Sequence, residues 1–207
     1  MKQKKNIKLW SLGCLLGVLA LVGIVVQVLR PDLATRYLTS TLPFIEYTET
    51  FEQDEEVYLV YFWQETCIFC TEFEPYIMDA VNNYNVPIFV VDLAEDVNNN
   101  AWYDWEMHHE IHSRVIGYVN DDGSQLYPGE DMEFYSPAEG WEIVVDNDGA
   151  IHARLNRAFN NQNPLDYSQI EISGTPTLLL IRNGIVERYA SGIPDGQELL
   201  NYFKEME

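Results

Sequence analysis

Apolar and polar residues follow one pattern before residue 30 and another after it. Residues 9–29, "LWSLGCLLGVLALVGIVVQVL", contain no charged residue. At about 1.5 Å per residue they would form a helix of roughly 30 Å, long enough to cross the hydrocarbon core of a membrane. A cleaved signal peptide usually has a shorter apolar segment, of about 7–15 residues, which ends at a small-x-small site. The pattern favours an uncleaved transmembrane helix at residues 9–29, followed by a connector at residues 30–42.

Basic residues set the orientation that we expect for this helix. The N-terminal tail, residues 1–8, carries four lysines, and short segments rich in Lys and Arg remain in the cytoplasm. We therefore predict a cytoplasmic tail and an extracytoplasmic C-terminal domain, joined by a single pass through the cell membrane. Cys14 lies inside the predicted span, and we interpret it as a small apolar packing residue.

Two continuous apolar runs beyond the connector are typical of strands that are buried on both faces. They are "VYLVYFW", residues 57–63, and "VPIFVVDL", residues 86–93. Between them, Thr66 can cap a helix in which apolar residues recur at helical spacing as far as Tyr84. A strand, a helix and a second buried strand form a βαβ unit, so we expect the two strands to be parallel. Residues 44–48, "FIEYT", alternate like a further, half-buried strand.

The C-terminal residues predict a hairpin and a closing helix. Residues 177–191, "TLLLIRNGIVERYAS", contain two apolar runs around Asn183-Gly184, a strong signal for a tight turn. The helix that follows would bury one apolar stripe. The segment at about 95–165 differs in texture, with the turn signals "NDDG", "YPGED" and "DNDG" and two short runs, "MEFY" and "WEIVV", that fit strands. We predict one α/β domain at residues 43–207 with an insertion at about 95–165.

The net charge limits the classes of partner. Residues 31–207 contain 7 Lys and Arg against 33 Asp and Glu, a net charge of −26. Such a field repels nucleic acid and anionic lipid headgroups, so neither is an expected partner. Hydrophobic residues make up 47% of the chain, which indicates a packed globular domain rather than a disordered one.

Cys67 and Cys70 form a C-x-x-C pair, which could be part of a zinc site, a structural disulfide or a redox pair. A structural zinc site would need two further ligands, but the chain has no other cysteine outside the predicted span and its histidines lack zinc-finger spacing. A structural disulfide across so short a loop would constrain the unfolded chain little. A redox pair fits the position at a helix start, where the dipole and free backbone N–H groups stabilise a thiolate. In that case Cys67 is the nucleophile, and Cys70 resolves the mixed disulfide.

These motifs, in this order, resemble those of the thioredoxin superfamily. The superfamily's first signature is resembled by three features of this chain: a strand that ends in Phe62-Trp63, a C-x-x-C at a helix start, and Pro75, five residues after the second cysteine. Its second signature is similar to "ISGTPT", residues 172–177, which a hairpin and a terminal helix follow. The resemblance covers about residues 43–93 and 166–207, so it leaves the predicted insertion aside.

The resemblance implies a thioredoxin-like α/β fold, with the long insertion before a cis proline, and it assigns roles to residues. It implies that Pro176 is the cis proline, that Pro75 kinks the active-site helix and that Gly174 permits a tight turn. The extended chain of a client would pair with the backbone of Thr175. No cofactor is implied beyond the redox-active disulfide Cys67–Cys70, and no metal. The residues expected to contact a client are Trp63, Ile68, Phe69, Thr175 and Pro176.

Two departures from the superfamily concern proton transfer and thiolate stability. Thioredoxins carry a buried acid six residues before the first cysteine, where this chain has Tyr61, and Val90 aligns with the lysine that partners that acid. A tyrosine, with an ordinary pKa of about 10, is a poor proton acceptor at neutral pH. Glu65 and Glu72 are candidates to substitute weakly for the acid. The dipeptide between the cysteines supplies no cation, so we expect less thiolate stabilisation than in strongly oxidising relatives.

The predicted insertion contains histidines and tryptophans that could bind a ligand. His108 and His112 share one helical face at a metal-ligand spacing, but surface or capping histidines are commoner, so we predict no metal site. Trp102, Trp105 and Trp141 form either a small secondary core or a client-binding surface. The core is favoured because aromatic side chains usually pack with one another.

The sequence therefore predicts a membrane-anchored, extracytoplasmic thiol–disulfide oxidoreductase on a bacterial, Gram-positive cell surface. Its expected partners are protein thiols and disulfides, together with a membrane redox partner. The alternative is a non-catalytic thioredoxin-like binding module that presents its insertion to a partner complex. The missing acid–lysine pair favours this alternative, whereas the two cysteines and the "GTPT" element favour the enzyme. These residues do not settle the direction of electron flow.

Overall fold

The computed structural model of the chain describes residues 41–205. The predicted tail, the predicted transmembrane helix and most of the predicted connector fall outside these residues. Within residues 41–205, no helix combines the length and the apolar character that crossing a membrane requires.

The first half of the domain forms the predicted βαβ unit. Strand β1 (Val57–Trp63) leads into helix α1 (Ile68–Tyr84), which returns the chain to strand β2 (Ile88–Asp92). The two strands are parallel, and Tyr61 pairs with Val90 in their register. Residues 44–48 do not form the predicted strand. Phe44 makes an isolated bridge to Val90, and Tyr47–Glu49 is a 3-10 helix, because the Glu46 and Glu49 side chains cap its backbone reciprocally.

Strands β7 (Thr177–Arg182) and β8 (Ile185–Ser191) form the predicted C-terminal hairpin, and helix α3 (Gly192–Glu205) closes the domain. The turn residues Asn183 and Gly184 have φ values of 50° and 75°, a left-handed backbone that Asn and Gly tolerate best. Strand β7 pairs antiparallel with β1, so the main sheet has the order β2-β1-β7-β8.

The segment between β2 and β7 builds a second sheet. Helix α2 (Trp105–His112) precedes four strands: β3 (Ser113–Asn120), β4 (Gly123–Leu126), β5 (Trp141–Val145) and β6 (Ala150–Leu155). They form an antiparallel sheet in the order β4-β3-β6-β5. The run "MEFY" does not form a strand, because Asp131 accepts a hydrogen bond from the Glu133 backbone and starts a 3-10 turn there. The other 3-10 helices are Asp96–Ala101, Met132–Phe134, Pro137–Glu139 and Tyr167–Gln169.

The core lies on both faces of the main sheet, because alternate side chains of each strand point to opposite faces. One face packs against α1 and α3, and the other packs against the segments that enter and leave the second sheet. The helix side buries Leu59, Tyr61, Val90, Leu178, Leu180, Phe73, Ile77, Leu199, Leu200 and Phe203. The opposite side buries Tyr58, Val60, Phe62, Val91, Leu179, Ile181, Ala101, Ile170 and Ile172.

Candidate redox site

Helix α1 begins at Ile68, one residue later than predicted, so Thr66 is not its N-cap. The N-cap is Cys67, whose backbone is extended and whose Sγ accepts a hydrogen bond from the Cys70 backbone N–H at 3.0 Å. A helix N-terminus has backbone donors that lack intrahelical partners. The first cysteine therefore fills the place that a Ser, Thr or Asp usually takes, and one of these donors points at its sulfur.

Cys67 and Cys70 are joined by a disulfide, with their Cα atoms 5.2 Å apart. The two sulfurs differ in access, because Cys67 is partly exposed and Cys70 is fully buried. A partner can therefore reach the Cys67 sulfur before it can reach Cys70. This asymmetry fits the predicted order of nucleophile and resolving thiol.

The loop before β7 faces this disulfide. The Thr175-Pro176 peptide bond is cis, and the Thr175 carbonyl oxygen lies 3.4 Å from Cys67 Sγ. The Thr177 hydroxyl fixes the loop by donating to the Gly174 carbonyl at 2.7 Å. The structure thus brings Thr175 and Pro176 to Cys67 across 108 residues of sequence, while their contact with a client stays a prediction.

Gly174 has no steric need for glycine within this structure. A Cβ added there would meet no heavy atom within 4 Å, and its backbone does not have the positive φ that favours glycine. The tight turn predicted from Gly174 is therefore open to residues with a side chain. Pro75 lies inside α1, and the helix continues past it to Tyr84. The proline removes a helical N–H donor, but it does not end the helix.

The three predicted client-contacting residues near the cysteines differ in exposure. Ile68 and Phe69, between the two cysteines, are 73% and 62% exposed. Trp63 is half-buried, packs against the helix side of the core and meets the Phe44 ring edge-on at 6.1 Å. Apolar surface is therefore available beside Cys67, whereas much of Trp63 serves the packing of the domain.

Tyr61 occupies the centre of β1, on the face that packs against α1. It is fully buried, and its hydroxyl has no hydrogen-bond partner among the described residues. Burial raises the pKa of Tyr61 far above its usual value, and the negative charge of Glu74 raises it further. The hydroxyl therefore stays protonated at neutral pH and cannot accept a proton there.

Glu74 is the residue of this site that the sequence reasoning missed. The two acids predicted to substitute for the missing buried acid, Glu65 and Glu72, are exposed, so neither lies at the core side of the helix. Glu74 is only 4% exposed. Its position was readable from the sequence, because it follows Cys70 by four residues and such pairs share one face of a helix.

The segment before α2 is attached to the loop that carries the cis proline. The Ala101 carbonyl accepts from the Ile172 N–H at 2.8 Å, and the Tyr103 N–H donates to the Ile172 carbonyl at 3.0 Å. The Trp105 indole N–H donates to the Ser173 carbonyl at 3.0 Å. The chain that leads into the second sheet is therefore attached two residues before Thr175. All three tryptophans are half-buried, but they do not form one secondary core. Trp102 packs against the core of the main sheet, Trp141 packs against a separate cluster in the second sheet, and Trp105 meets the rings of Tyr103 and His108.

His108 is buried in the same region and has both ring nitrogens engaged. Nε2 lies 2.8 Å from the Leu155 carbonyl oxygen, which can only accept, so Nε2 carries the proton. Nδ1 then accepts from the Tyr103 hydroxyl at 2.7 Å. The rings of His108 and His112 are 4.6 Å apart, but His108 has no lone pair left for a metal. No cluster of three or more metal-ligating side chains occurs within residues 41–205.

The fold is similar to those of two thioredoxins of known structure. Thioredoxin f2 from Chlamydomonas reinhardtii is 12% identical, with the match covering 80% of this chain and 96% of that chain at a TM-score of 0.38. Oxidized mitochondrial thioredoxin 3 from Saccharomyces cerevisiae is 9% identical over 81% of this chain and 97% of that chain, at a TM-score of 0.39. No protein-family model and no curated protein matches this chain. The chain's own features make its core thioredoxin-like: the parallel βαβ unit, the disulfide at the start of α1 and the cis proline that faces it.

Proposed function

We propose that this protein is a thiol–disulfide oxidoreductase that acts on protein thiols or disulfides through Cys67 and Cys70. The observation that carries the proposal is the asymmetric disulfide at the start of α1. The Cys67 sulfur is partly exposed, accepts a backbone N–H and faces the Thr175 carbonyl, whereas Cys70 is buried. This arrangement gives one sulfur to a client and keeps the other for the second step.

The proposed reaction transfers two electrons and two protons between the Cys67–Cys70 pair and a client disulfide. In the reductive direction, the Cys67 thiolate attacks one sulfur of a client disulfide. A Cys67–client bond forms, the client S–S bond breaks and the departing client sulfur takes a proton. Cys70 then loses its proton and attacks Cys67 Sγ, so that the Cys67–Cys70 bond forms and the second client sulfur leaves and is protonated. The reverse sequence oxidises a client dithiol.

We also propose that the reaction takes place outside a cell membrane, with residues 9–29 as the anchor. This part rests on the sequence alone, namely the uncharged apolar run and the lysines that precede it. The oxidising conditions of such a compartment allow a disulfide to persist. A membrane protein that exchanges electrons with the Cys67–Cys70 pair would complete the cycle.

Turnover of protein disulfides by the full-length chain tests the redox proposal. The protein should either speed the reduction of insulin by dithiothreitol or oxidise a reduced, unfolded client. In cells, Cys70→Ser should accumulate mixed disulfides through Cys67, because the resolving thiol is gone, and Cys67→Ser should accumulate none. Equal trapping by the two variants, or a folded protein that forms the disulfide yet turns over no client, would contradict the proposal.

The same cells report on location. A membrane-impermeant maleimide added before lysis should label the unreacted Cys67 of Cys70→Ser, because the domain would face outwards. Labelling that occurs only after lysis would overturn the proposed location and leave the redox proposal standing.

A further inference from the structure

The resolving step requires a proton to leave a buried place. Cys70 is fully buried, so its thiol cannot pass a proton directly to bulk water. The attacking species in disulfide exchange is the thiolate, which forms only after that proton has left. The proposed function, on which this inference rests, therefore needs a proton acceptor beside Cys70 inside the protein.

Glu74 lies where such an acceptor is needed. It follows Cys70 by four residues in α1, and the Cβ atoms of residues so spaced on a helix are about 5–6 Å apart. Both side chains are on the buried face of the helix. Tyr61 faces Glu74 from β1, closely enough for the Glu74 charge to act on its hydroxyl.

The other groups near the cysteines do not fit this role. Glu65 and Glu72 are exposed, so they lie on the side of the helix start that faces solvent. Tyr61 is buried and keeps its own proton at neutral pH. A carboxyl group, by contrast, gains and loses a proton readily, and general acid–base groups in enzymes are often carboxyls in buried surroundings.

We propose that Glu74 accepts the proton of Cys70 when Cys70 attacks the mixed disulfide, and returns it when the reaction runs backwards. The Cys70 S–H bond breaks and a Glu74 O–H bond forms. The new thiolate then attacks Cys67 Sγ, the Cys67–Cys70 bond forms and the Cys67–client bond breaks. The proton that Glu74 holds passes to the departing client sulfur or to water. The acid would therefore lie on α1 itself, whereas Tyr61 occupies the position on β1 at which thioredoxins carry their buried acid.

A single-turnover reaction with dithiobis(nitrobenzoate) separates the two thiol steps. Every protein is full-length and carries Cys14→Ser, so that Cys67 and Cys70 are its only cysteines. Attack by Cys67 releases one coloured thiolate, and resolution by Cys70 releases the second. In Glu74→Gln, the second release at pH 7 should be about tenfold slower or more, with the first release within a factor of about two of the parent protein. The deficit should shrink as the pH rises, because hydroxide can then take the proton.

Two further variants make the result specific. Glu74→Met keeps a similar side-chain volume and removes the carboxyl, so it should still show the slow second release, in a protein that urea titration shows to be folded. Glu72→Gln, on the exposed side of the same helix, should change neither release. A second release in both Glu74 variants that stays within a factor of about two of the parent would overturn the inference, as would equal slowing of both releases.

The outcome is distinguishable from failure of the proposed function. If the function is wrong, the unaltered protein fails to turn over insulin or a reduced client, whatever Glu74 does. If only the inference is wrong, the unaltered protein is active, and the Glu74 variants either resolve at the rate of the parent protein or slow both releases equally.

Discussion

Gly196 shows how a single residue sets the distance between the two helices that cover the active-site side of the sheet. It lies in α3, and a Cβ added there would come within 2.6 Å of Cζ of Phe73, with two further ring atoms at 3.1 and 3.3 Å. Phe73 is fully buried and precedes Glu74 in α1. The absence of a side chain at Gly196 therefore lets α3 approach the helix that carries the redox pair.

Gly196→Ala should destabilise the domain. Alanine gains up to about 1 kcal/mol of helix propensity over glycine, but moving the Phe73 ring in a packed core costs about 1–3 kcal/mol. We expect a net loss of up to about 2 kcal/mol in the free energy of unfolding, measured by urea titration. Gly174→Ala is the matched control and should change it by less than about 0.5 kcal/mol, because a Cβ there meets open space. Equal or higher stability in Gly196→Ala would contradict this account, because it would mean that moving the Phe73 ring costs no more than the gain in helix propensity.

Helix α2 is held to its neighbours through one buried imidazole. His108 reaches the Leu155 carbonyl at the end of β6 and the Tyr103 hydroxyl ahead of its own helix. The Tyr103 hydroxyl in turn accepts from the Phe159 N–H at 3.2 Å. This network needs His108 in its neutral form, since protonated Nδ1 could no longer accept from Tyr103.

The stability of the domain should therefore fall as the pH drops below about 6.5, the ordinary pKa of histidine. Burial lowers the pKa of His108, the neighbouring charges of His112 and His109 lower it further, and the Leu155 carbonyl opposes this. Below pH 6.5 the histidine at position 108 binds a proton in the unfolded chain but stays neutral in the folded protein. The free energy of unfolding therefore falls by up to about 1.4 kcal/mol per pH unit. Between pH 7.5 and 9 this contribution is flat.

Urea midpoints of the full chain between pH 5 and 8 measure this slope. His108→Gln can still donate to the Leu155 carbonyl, and it should remove most of the slope that separates pH 7.5 from pH 5.5. His109→Gln, a partly exposed neighbour that contacts the Asn156 side chain, should keep the slope. Parallel pH profiles for His108→Gln and the unaltered protein would contradict this account.

Elements whose signals are local were predictable from the sequence. The Asn183-Gly184 turn was readable because both residues tolerate the left-handed backbone found there. Strand β1 was readable because a strand buried on both faces is apolar throughout. The strand expected at residues 44–48 did not form, since alternation is also satisfied by one bridge to β2 followed by a 3-10 turn.

Features of the structure that depend on residues far apart in the chain were harder to predict from the sequence. The helix cap could be placed near Thr66 from sequence, but the choice of Cys67 depends on the backbone that enters α1. The place of Glu74 on the Cys70 face of α1 was readable from the sequence, but its burial and the attachment of Trp105 to Ser173 depend on tertiary packing. The resemblance to thioredoxins pointed to the missing acid at Tyr61, and only the structure pointed to the acid that stands on the neighbouring helix.

Charge is distributed unevenly over the whole molecule. Residues 37–113, which include the redox pair, contain sixteen Asp and Glu and no Lys or Arg. The cations of the described residues lie in the second sheet and its exit segment and in the C-terminal elements: Arg114, Arg154, Arg157, Arg182, Arg188 and Lys204. Fields of this kind change encounter rates with charged partners and are screened by salt. The acidic segment that includes Cys67 should therefore attract cations and repel anions.

Small charged disulfides test this field without any client protein. The reduced full-length chain carrying Cys14→Ser should react with cystamine, a dication, about tenfold faster than with dithiodiglycolate, a dianion, at an ionic strength of about 0.01 M. Each rate is divided by the rate of the same disulfide with mercaptoethanol, whose only charge is that of the attacking thiolate, because this removes differences in intrinsic reactivity and the effect of the thiolate charge itself. The preference should decline towards unity at about 1 M salt, where the screening length is about 3 Å. A preference for cystamine that salt leaves unchanged would mean that local contacts, and not the charge of residues 37–113, set the rates.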